Sequence, residues 1–440
     1  MASIRKRKNS YQVTVSNGYD AAGRKLTETA TFTPDPTKTE KQNQKALEVF
    51  AFEFEQKVRS GNYLDGEKLL LKDYAARWLS EYAENRLAYS TYANYKMNIE
   101  SRIIPSLGHM KMSQIKPLHI QAMYNALLSD TARNDGKSGR LSTGTIKKVH
   151  AILSSMLHTA VLWQIIESNP CDRVAPPASH EQRSVCPKHF TLEQADAFIK
   201  ALDMDIKTNY SDRKRIDSTG NLYFVGGYQT SKKIPLQIKV FFYMALFGGF
   251  RRSEILALTW KDIDFQKNTV DIFKSLTLKD HEMTVKTTKT KTSARTVSLP
   301  APVMHLLHQL LIEQKQYALS LGSQWVGHRG SSYEDNYIFI QWNGQVMYLD
   351  TPYQWFRKIL DNYNRQQTDE ADKLPPITMH GLRHTSATLL ISQNVDIRTV
   401  SGRLGHAQTS TTMNIYAHSL RKSDEAAAES LGDLLIKQNF

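Results

Sequence analysis

Two histidines and an arginine fall within five residues at the start of a predicted helix. The segment MHGLRHTSATLLI, residues 379–391, places His380, Arg383 and His384 directly before an apolar run. Three kinds of site use such residues: a metal site, a nucleic-acid contact and a site of phosphate chemistry. The residues of other segments distinguish between the three.

A metal ion is the least favoured of the three. His380 and His384 are four residues apart, so on a helix both could face one ion. A zinc peptidase of the HExxH type needs a glutamate directly after the first histidine, and here that position is Gly381. Arg383 would also repel a cation. We therefore expect no metal, and a role for His384 as a buried or capping histidine stays open.

Phosphate chemistry accounts for more of these residues. Attack on a phosphodiester places negative charge on the non-bridging oxygens, which guanidinium groups meet in a fixed, charge-assisted geometry. The segment GGFRRSEILALTW adds Arg251 and Arg252. A tyrosine is a suitable nucleophile because a phenol, with a pKa of about 10, loses its proton more easily than an alcohol. A covalent phosphotyrosine conserves the energy of the broken bond, so neither ATP nor a metal cofactor is expected.

The composition favours a polyanionic partner. There are 57 Lys+Arg against 43 Asp+Glu, a formal charge of +14, and 40% hydrophobic residues indicate a globular chain. Cys171 and Cys186 form no CxxC pair, which argues against a disulfide framework or a cysteine zinc site and favours the cytoplasm. The N-terminal segment has no apolar signal-peptide core, and no apolar run is long enough to span a membrane.

The first predicted unit, residues 1–65, combines a short antiparallel meander with one helix. Basic residues cluster in it and predict a DNA-binding module: Arg5, Lys6, Arg7, Lys8, Arg24 and Lys25. A solvated basic tail is the alternative.

The second predicted unit, residues 66–170, is all-helical. Its clearest helix, within residues 142–166, has Ser142 or Thr143 as a cap. One face is apolar and predicts core positions: Ile146, Val149, Ile152, Leu153, Met156, Leu157, Ala160 and Val161. Lys147 and Lys148 lie off that face and could contact DNA phosphates or only solvent. Four prolines follow, and residues 171–186 are predicted to be a linker.

The third predicted unit, residues 187–440, carries the chemistry. It opens with a capping box at Thr191 and Gln194, and a polar stretch at about 203–233 is expected to be a surface insertion. Residues 283–300 alternate on both sides of a basic middle, which predicts a β-hairpin presenting Lys286, Lys289 and Lys291. A tail helix is expected after Tyr416.

GGFRRSEILALTW, TKTKTSARTV, HGLRH, LGH and NIYAH occur in that order and resemble the catalytic motifs of the tyrosine recombinase (phage integrase) family. The layout also resembles integrases of conjugative transposons and temperate phages. The resemblance implies a multidomain, mainly α fold. Its parts are a small N-terminal sheet-plus-helix module that is an arm-type DNA-binding domain, an all-helical, SAM-like core-binding domain and a mixed α+β catalytic domain.

The resemblance also implies roles for individual residues. The catalytic set would be Arg251, Lys289, His380, Arg383, His406 and the nucleophile Tyr416. Glu254 would support the site, Arg252 would have a structural or DNA-contact role, and Lys291 is the rival of Lys289. "GGF" departs from the Thr-Gly-Leu of many members, which changes packing rather than chemistry.

A site-specific DNA recombinase is the function that the resemblance implies. Tyr416 would form a 3′-phosphotyrosine, and two rounds of strand exchange would pass through a Holliday junction to integrate and excise a mobile element. Implied partners are double-stranded DNA attachment sites, a homotetramer on synapsed DNA, and an excisionase or host DNA-bending protein, in the bacterial cytoplasm at the nucleoid. A type IB topoisomerase and a non-catalytic DNA-binding regulator remain as alternatives.

Overall fold

The chain forms two compact units, Met1–Gln182 and Arg183–Phe440, in a computed structural model. The structure describes residues 2–19, 23–59, 69–129, 133, 139–178, 189–216, 220–279, 282–287, 294–327, 332–406, 408–410 and 412–413. No helix in these ranges combines the length and the apolar composition that crossing a membrane requires.

The N-terminal part of the first unit is a three-stranded antiparallel sheet with one helix against it. The elements are β1 (Ser3–Arg7), β2 (Ser10–Tyr19), β3 (Lys25–Phe32) and α1 (Glu40–Arg59), and the sheet order is β1-β2-β3. A small core lies between sheet and helix, formed by Val13, Val15, Leu47, Ala51, Phe54 and Val58. The predicted meander and helix are confirmed.

The rest of the first unit is helical, as the sequence predicts. Its α-helices are α2 (Leu71–Trp78), α3 (Glu84–Arg86), α4 (Tyr89–Asn98), α5 (Ile104–Leu107), α6 (Pro117–Leu127) and α7 (Thr143–Leu162). Single π-helical turns, Leu79–Ala83 and Ile99–Ile103, join α2 to α3 and α4 to α5. Ser142 caps α7, since its side chain accepts a hydrogen bond from the Thr145 amide. The predicted apolar face of α7 is buried except for the partly buried Val161.

Cys171 lies in this helical core. It is 2% exposed within the short 3₁₀ helix Pro170–Arg173, and burial raises the pKa of its thiol to about 12. The predicted linker 171–186 therefore includes at least one core residue at its start. Residues 179–188 lie outside the described ranges, and the domain boundaries stay predictions.

The second unit packs seven helices and several short strands around one core. Its helices are α8 (Leu192–Ala201), α9 (Leu236–Gly248), α10 (Arg252–Leu256), α11 (Ala301–Leu321), α12 (Thr351–Asn364), α13 (Met379–Ser392) and α14 (Ile397–Leu404). Its strands are β4 (Ile206–Tyr210), β5 (Arg213–Ile216), β6 (Leu222–Val225), β7 (Tyr228–Lys232), β8 (Ile263–Asp264), β9 (Thr269–Ile272), β10 (Lys274–Lys279), β11 (Glu282–Thr287) and β12 (Arg295–Ser298). These counts cover the described ranges only. The capping box of Thr191 and Gln194 is present at the start of α8.

The expected surface insertion is a pair of nested antiparallel ladders. β4 pairs with β7, β5 pairs with β6, and most of these residues are exposed. In the sequence, the two ladders lie between α8 and α9. α9 is mainly apolar and contributes many residues to the core, where α11 and α13 pack against it.

The predicted β-hairpin around the basic segment is wrong in its pairing. β11, which carries Lys286, pairs with β10, and β12 pairs with β9 in a separate sheet of order β12-β9-β8. The strands on the two sides of residues 288–293 thus belong to different sheets. β11 pairs instead with the strand that directly precedes it in the chain, and β12 pairs with the more distant β9, because alternation marks a strand but does not record its partner.

Candidate active site

The first arginine of the site follows a turn that only glycine adopts without strain. Gly249 ends α9 with a φ of 63°, in the left-handed region. A Cβ there would lie 2.9 Å from Cδ2 of Leu404. The turn redirects the chain into α10, with Arg251 as its N-cap residue and Glu254 in its first turn.

Glu254 is a buried carboxylate held by two arginines. Its side chain is 3% exposed, and Oε1 accepts a hydrogen bond of 2.7 Å from Nη1 of Arg251. Oε2 accepts one of 2.9 Å from the Arg251 amide and one of 2.8 Å from Nη2 of Arg295. Burial raises the pKa of Glu254, but Arg295 and then Arg251 outweigh it, so the pKa lies below its usual 4.5. The side chain of Arg251 keeps 37% exposure and can reach a ligand.

Arg383 joins three segments that carry predicted site residues. It lies on α13 and is 2% exposed. Nη1 donates to the Gly249 carbonyl oxygen at 2.8 Å, and Nη2 donates to the Leu404 carbonyl oxygen at 2.6 Å. The motifs GGFRR, HGLRH and LGH, which are remote in sequence, therefore meet at this side chain.

His406 follows the end of α14. Gly405 ends that helix with a φ of 68°, and the His406 amide donates to the Ser401 carbonyl oxygen at 3.1 Å. The ring is oriented by Thr412, whose Oγ1 lies 2.8 Å from Nδ1 of His406. Thr412 is fully buried, so its hydroxyl is shielded from water.

Positive charge surrounds the histidines. Burial and then the charge of Arg383 and Arg251 lower the pKa of His406 to about 4. Burial, Arg383 and Arg251 also lower the pKa of His380. The His380 and His384 rings lie edge to face at 4.9 Å, and burial with His380 lowers the pKa of His384 to about 4. The histidines are neutral at pH 7 in a site of positive potential, an environment that attracts an anion.

The same charges oppose a metal ion. Within the parts of the chain that the structure describes, no three His, Cys, Asp or Glu side chains are grouped so that they could hold one. The arginines of this site are cations and hydrogen-bond donors, whereas a metal ion needs several ligand atoms that offer lone pairs.

The structure thus brings Arg251, Glu254, His380, Arg383 and His406 together. Lys289, Lys291 and Tyr416 lie outside the described residues, and their roles stay predictions. Lys286 is exposed on β11. Arg252 forms an ion pair of 3.1 Å with Asp350, next to α12.

Sequence reasoning missed two residues that contact this site. Arg295 occurs inside the segment TKTKTSARTV, whose predicted site residues are lysines. The signal that could have found it is a charged residue in a predicted strand, because a buried charge there needs a partner. Thr412 precedes Tyr416 in a run of hydroxyl residues and had no signal of its own.

The predicted DNA contacts of the N-terminal sheet divide between its two faces. Directly opposed residues share a face, and the pairs are Ile4 with core residue Val13, and Arg5 with Gln12. Arg5 and Arg7 therefore lie on the face away from α1, where Arg7 donates to Oε1 of Gln12 at 2.7 Å. Lys6 lies on the other face, and Lys8 is in the turn after β1. Arg24 and Lys25 are exposed at the start of β3, and Lys147 and Lys148 are exposed on α7.

Sequence families identify the class of protein. A model of the phage integrase family matches residues 227–423, and a model of the phage integrase N-terminal SAM-like domain matches residues 70–128. Together the two matches span more than half of the chain. The chain belongs to the tyrosine recombinase (phage integrase) family, whose members are site-specific recombinases.

The chain is similar to individual tyrosine recombinases and integrases. The chain is 28% identical, over 98% of its own length and of the relative's, to a tyrosine recombinase XerC-like protein of Caldanaerobacter subterraneus subsp. tengcongensis. It is 29% identical to the ICEBs1 integrase of Bacillus subtilis over 72% of each chain. The solved Tn1549 transposon integrase, in complex with a circular intermediate DNA, has a similar fold: the TM-score is 0.58 at 19% identity, with 81% of this chain and 98% of that chain covered.

Proposed function

We propose that this chain is the integrase of a mobile element, which cuts and rejoins DNA at specific sites through a 3′-phosphotyrosine. The observation that carries the proposal is the convergence of Arg251, Arg383 and His406, each on a different element. Arg383 joins the three elements through its hydrogen bonds to Gly249 and Leu404. Two guanidiniums and an imidazole in a positive, half-buried site suit the non-bridging oxygens of a phosphodiester.

The depressed pKa values fit this substrate. His406 and His380 are neutral because burial and the neighbouring arginines disfavour a further positive charge. A bound phosphate would cancel part of that positive potential. Both pKa values should therefore rise on binding, so that the imidazoles can hold or move a proton in the complex.

The proposed reaction is a transesterification. The phenolic oxygen of Tyr416 attacks the phosphorus, and the bond from phosphorus to the 5′-oxygen breaks. Lys289 gives a proton to the leaving 5′-oxygen, and His380 receives the proton of the phenol. Arg251, Arg383 and His406 stabilise the charge of the transition state. In the reverse direction, the 5′-hydroxyl of a partner strand attacks the phosphotyrosine and restores a DNA strand.

Exchange of two duplexes requires four cleavages, because each of the four strands is cut once. We propose a homotetramer on synapsed attachment sites, one nucleophile per strand, with a Holliday junction between the two rounds. The names of the relatives support a mobile element as cargo, and the DNA complex of the Tn1549 integrase supports DNA as the ligand. An excisionase or a host DNA-bending protein would set the direction, and the setting is the bacterial cytoplasm.

A type IB topoisomerase is the second candidate, because the same chemistry can relax supercoils. Supercoiled plasmids with two, one or no attachment sites, taken from DNA that flanks the gene, separate the two. An integrase gives recombinant products only from the two-site plasmid. Relaxation of all three plasmids without recombinants would establish a topoisomerase, and tight DNA binding without any adduct would establish a regulator.

We also propose that residues 1–65 bind arm sites away from the crossover. The face of the sheet opposite α1 supports this, because Arg5 and Arg7 lie on it side by side with polar residues. Deletion of 1–65 should abolish arm-site binding and retain weak core-site binding. The double variant Arg5→Gln/Arg7→Gln should lower arm-site affinity and the salt slope of binding more than Lys6→Gln, which alters the other face. Equal effects would contradict the assignment of the face.

A further inference from the structure

Arg295 connects two parts of the candidate site. It is the first residue of β12, and its side chain is 7% exposed. Nη2 and Nη1 donate to the two carboxylate oxygens of Glu254, at 2.8 and 3.3 Å. Nε donates to the main-chain oxygen of Arg403 at 2.8 Å. One planar group thus meets a buried carboxylate on α10 and the last turn of α14.

The end of α14 depends on such donors. The last carbonyl groups of a helix have no partner within the helix, and the C-terminus carries partial negative charge. Here the Arg403 carbonyl accepts from Arg295, and the Leu404 carbonyl accepts from Arg383. Two guanidiniums therefore hold the helix end from which His406 emerges.

Gly405 supports the same connection. A Cβ at this position would lie 2.7 Å from Nη1 of Arg295, so the guanidinium occupies the space that a side chain would need. The residue directly before His406 packs against Arg295 through its main chain. A shift of the guanidinium would displace the main chain of Gly405 and, through the next peptide bond, His406.

We propose that Arg295 is a positioning residue for strand cleavage: it orients Arg251 through Glu254, and His406 through the end of α14. This role rests on the proposed function, because it concerns the site that holds the scissile phosphate. A lysine cannot replace it fully, since an ammonium group lacks the planar fork that meets both carboxylate oxygens and a carbonyl at once.

The pH dependence of cleavage follows from the charges around Glu254. The charged and titratable groups that interact with it are Arg251 at the start of α10, Arg295 on β12 and His380 on α13. Removing Arg295 removes the largest influence that lowers the pKa of this carboxyl, while burial, which raises it, remains. In a plot of cleavage rate against pH, the limb on the acid side should therefore move to higher pH.

Single-turnover cleavage of a nicked attachment site by the full chain, at saturating DNA and across pH, tests the role. Arg295→Met should cleave about 100-fold more slowly, the cost of a small misplacement of catalytic groups, while the Kd for DNA stays close to that of the wild type. Its acid limb should move to higher pH. Arg295→Lys, which retains the charge and guards against a folding defect, should cleave slowly with a smaller shift of the acid limb.

Arg403→Met is the matched control. Its guanidinium also donates to main-chain oxygens in this region, those of Phe247 and Ser298, whereas Glu254 is bonded by Arg295 and Arg251. The pH profile of this variant should match the wild type. Adding Glu254→Gln to Arg295→Met should slow cleavage little further, because both changes break the same connection from Arg295 through Glu254 to Arg251.

Four results would overturn the role. These are wild-type cleavage by Arg295→Met, a slow variant with an unchanged pH profile, the same shift of profile in Arg403→Met, or fully multiplicative effects of the Arg295 and Glu254 changes. A wild-type chain that forms no adduct refutes the proposed function itself and removes the basis of the role. A wild type that cleaves beside an equally active Arg295→Met refutes the role alone.

Discussion

Replacing Glu254 with glutamine tests the electrostatics of the site. The substitution keeps the shape of the side chain but removes the charge that Arg295 and Arg251 share. The new amide N–H₂ group also lies against one of the two guanidiniums. Both groups are hydrogen-bond donors, so they cannot bond to each other. The two arginines then face each other in a buried region without a counter-charge, so we expect both the fold and the geometry of Arg251 to suffer.

The magnitude follows from the burial of the partners. Arg295 and Glu254 are 7% and 3% exposed, and removing one partner of such a pair costs about 3–5 kcal/mol. Arg251 is 37% exposed, so solvent screens its pairing with Glu254, which adds at most about 1 kcal/mol. We therefore expect Glu254→Gln to lower the free energy of unfolding of the second unit by about 3–5 kcal/mol at pH 7.

Urea denaturation of the full chain, followed through the transition of the second unit, measures this loss. The folded-state pKa of Glu254 lies below 4.5, so its contribution is fully present above that pH and disappears as the pH falls through the folded pKa. The gap between wild type and variant should accordingly narrow in acid. Asp350→Asn, which removes the exposed partner of Arg252, is the control and should match the wild type. A Glu254→Gln variant within about 1 kcal/mol of the wild type, or a gap that does not change with pH, would refute the reasoning.

Three further predictions concern the turn, the histidines and the lysine. Gly249→Ala should lose about 1–2 kcal/mol of unfolding free energy through left-handed strain, whereas Gly226→Ala, at an ordinary φ with open space around it, should lose none; equal urea midpoints would contradict this. His406 should titrate by NMR near pH 4 in the free chain and at higher pH with a DNA duplex; a pKa near 6.5 without DNA would separate it from the arginines. Lys289→Ala should cleave normal DNA about 10²–10⁴-fold more slowly but a 5′-thio substrate at near the wild-type rate, since a thiolate leaves without a proton. Rescue of Lys291→Ala instead would move the general acid by two residues.

Local sequence signals predicted the local elements well. Ser142 and Thr191 cap the helices they were expected to cap, and the apolar face of α7 is buried, because caps and helical periodicity involve residues a few positions apart. The ordered motifs likewise led to Arg251, Arg383 and His406, which the structure brings together.

Long-range contacts were not predictable in the same way. Strand β12, for example, pairs with the more distant β9, whereas β11 pairs with β10, the strand just before it in the chain. The role of Arg295 was not predictable for the same reason, since it depends on hydrogen bonds to Glu254 and the Arg403 carbonyl, 41 and 108 positions away. No local pattern records a partner at that distance.

Trapping the covalent intermediate tests the central claim most directly. The full chain is incubated with an attachment site that is nicked beside the cleavage position, so that the short 5′-hydroxyl fragment diffuses away. Mass spectrometry after proteolysis then locates the DNA remnant. The account predicts the remnant on Tyr416, its loss in Tyr416→Phe with DNA affinity retained, and its persistence in Tyr353→Phe, which removes a half-exposed phenol elsewhere in the same unit. A remnant on any other residue, or an adduct that survives in Tyr416→Phe, would contradict it.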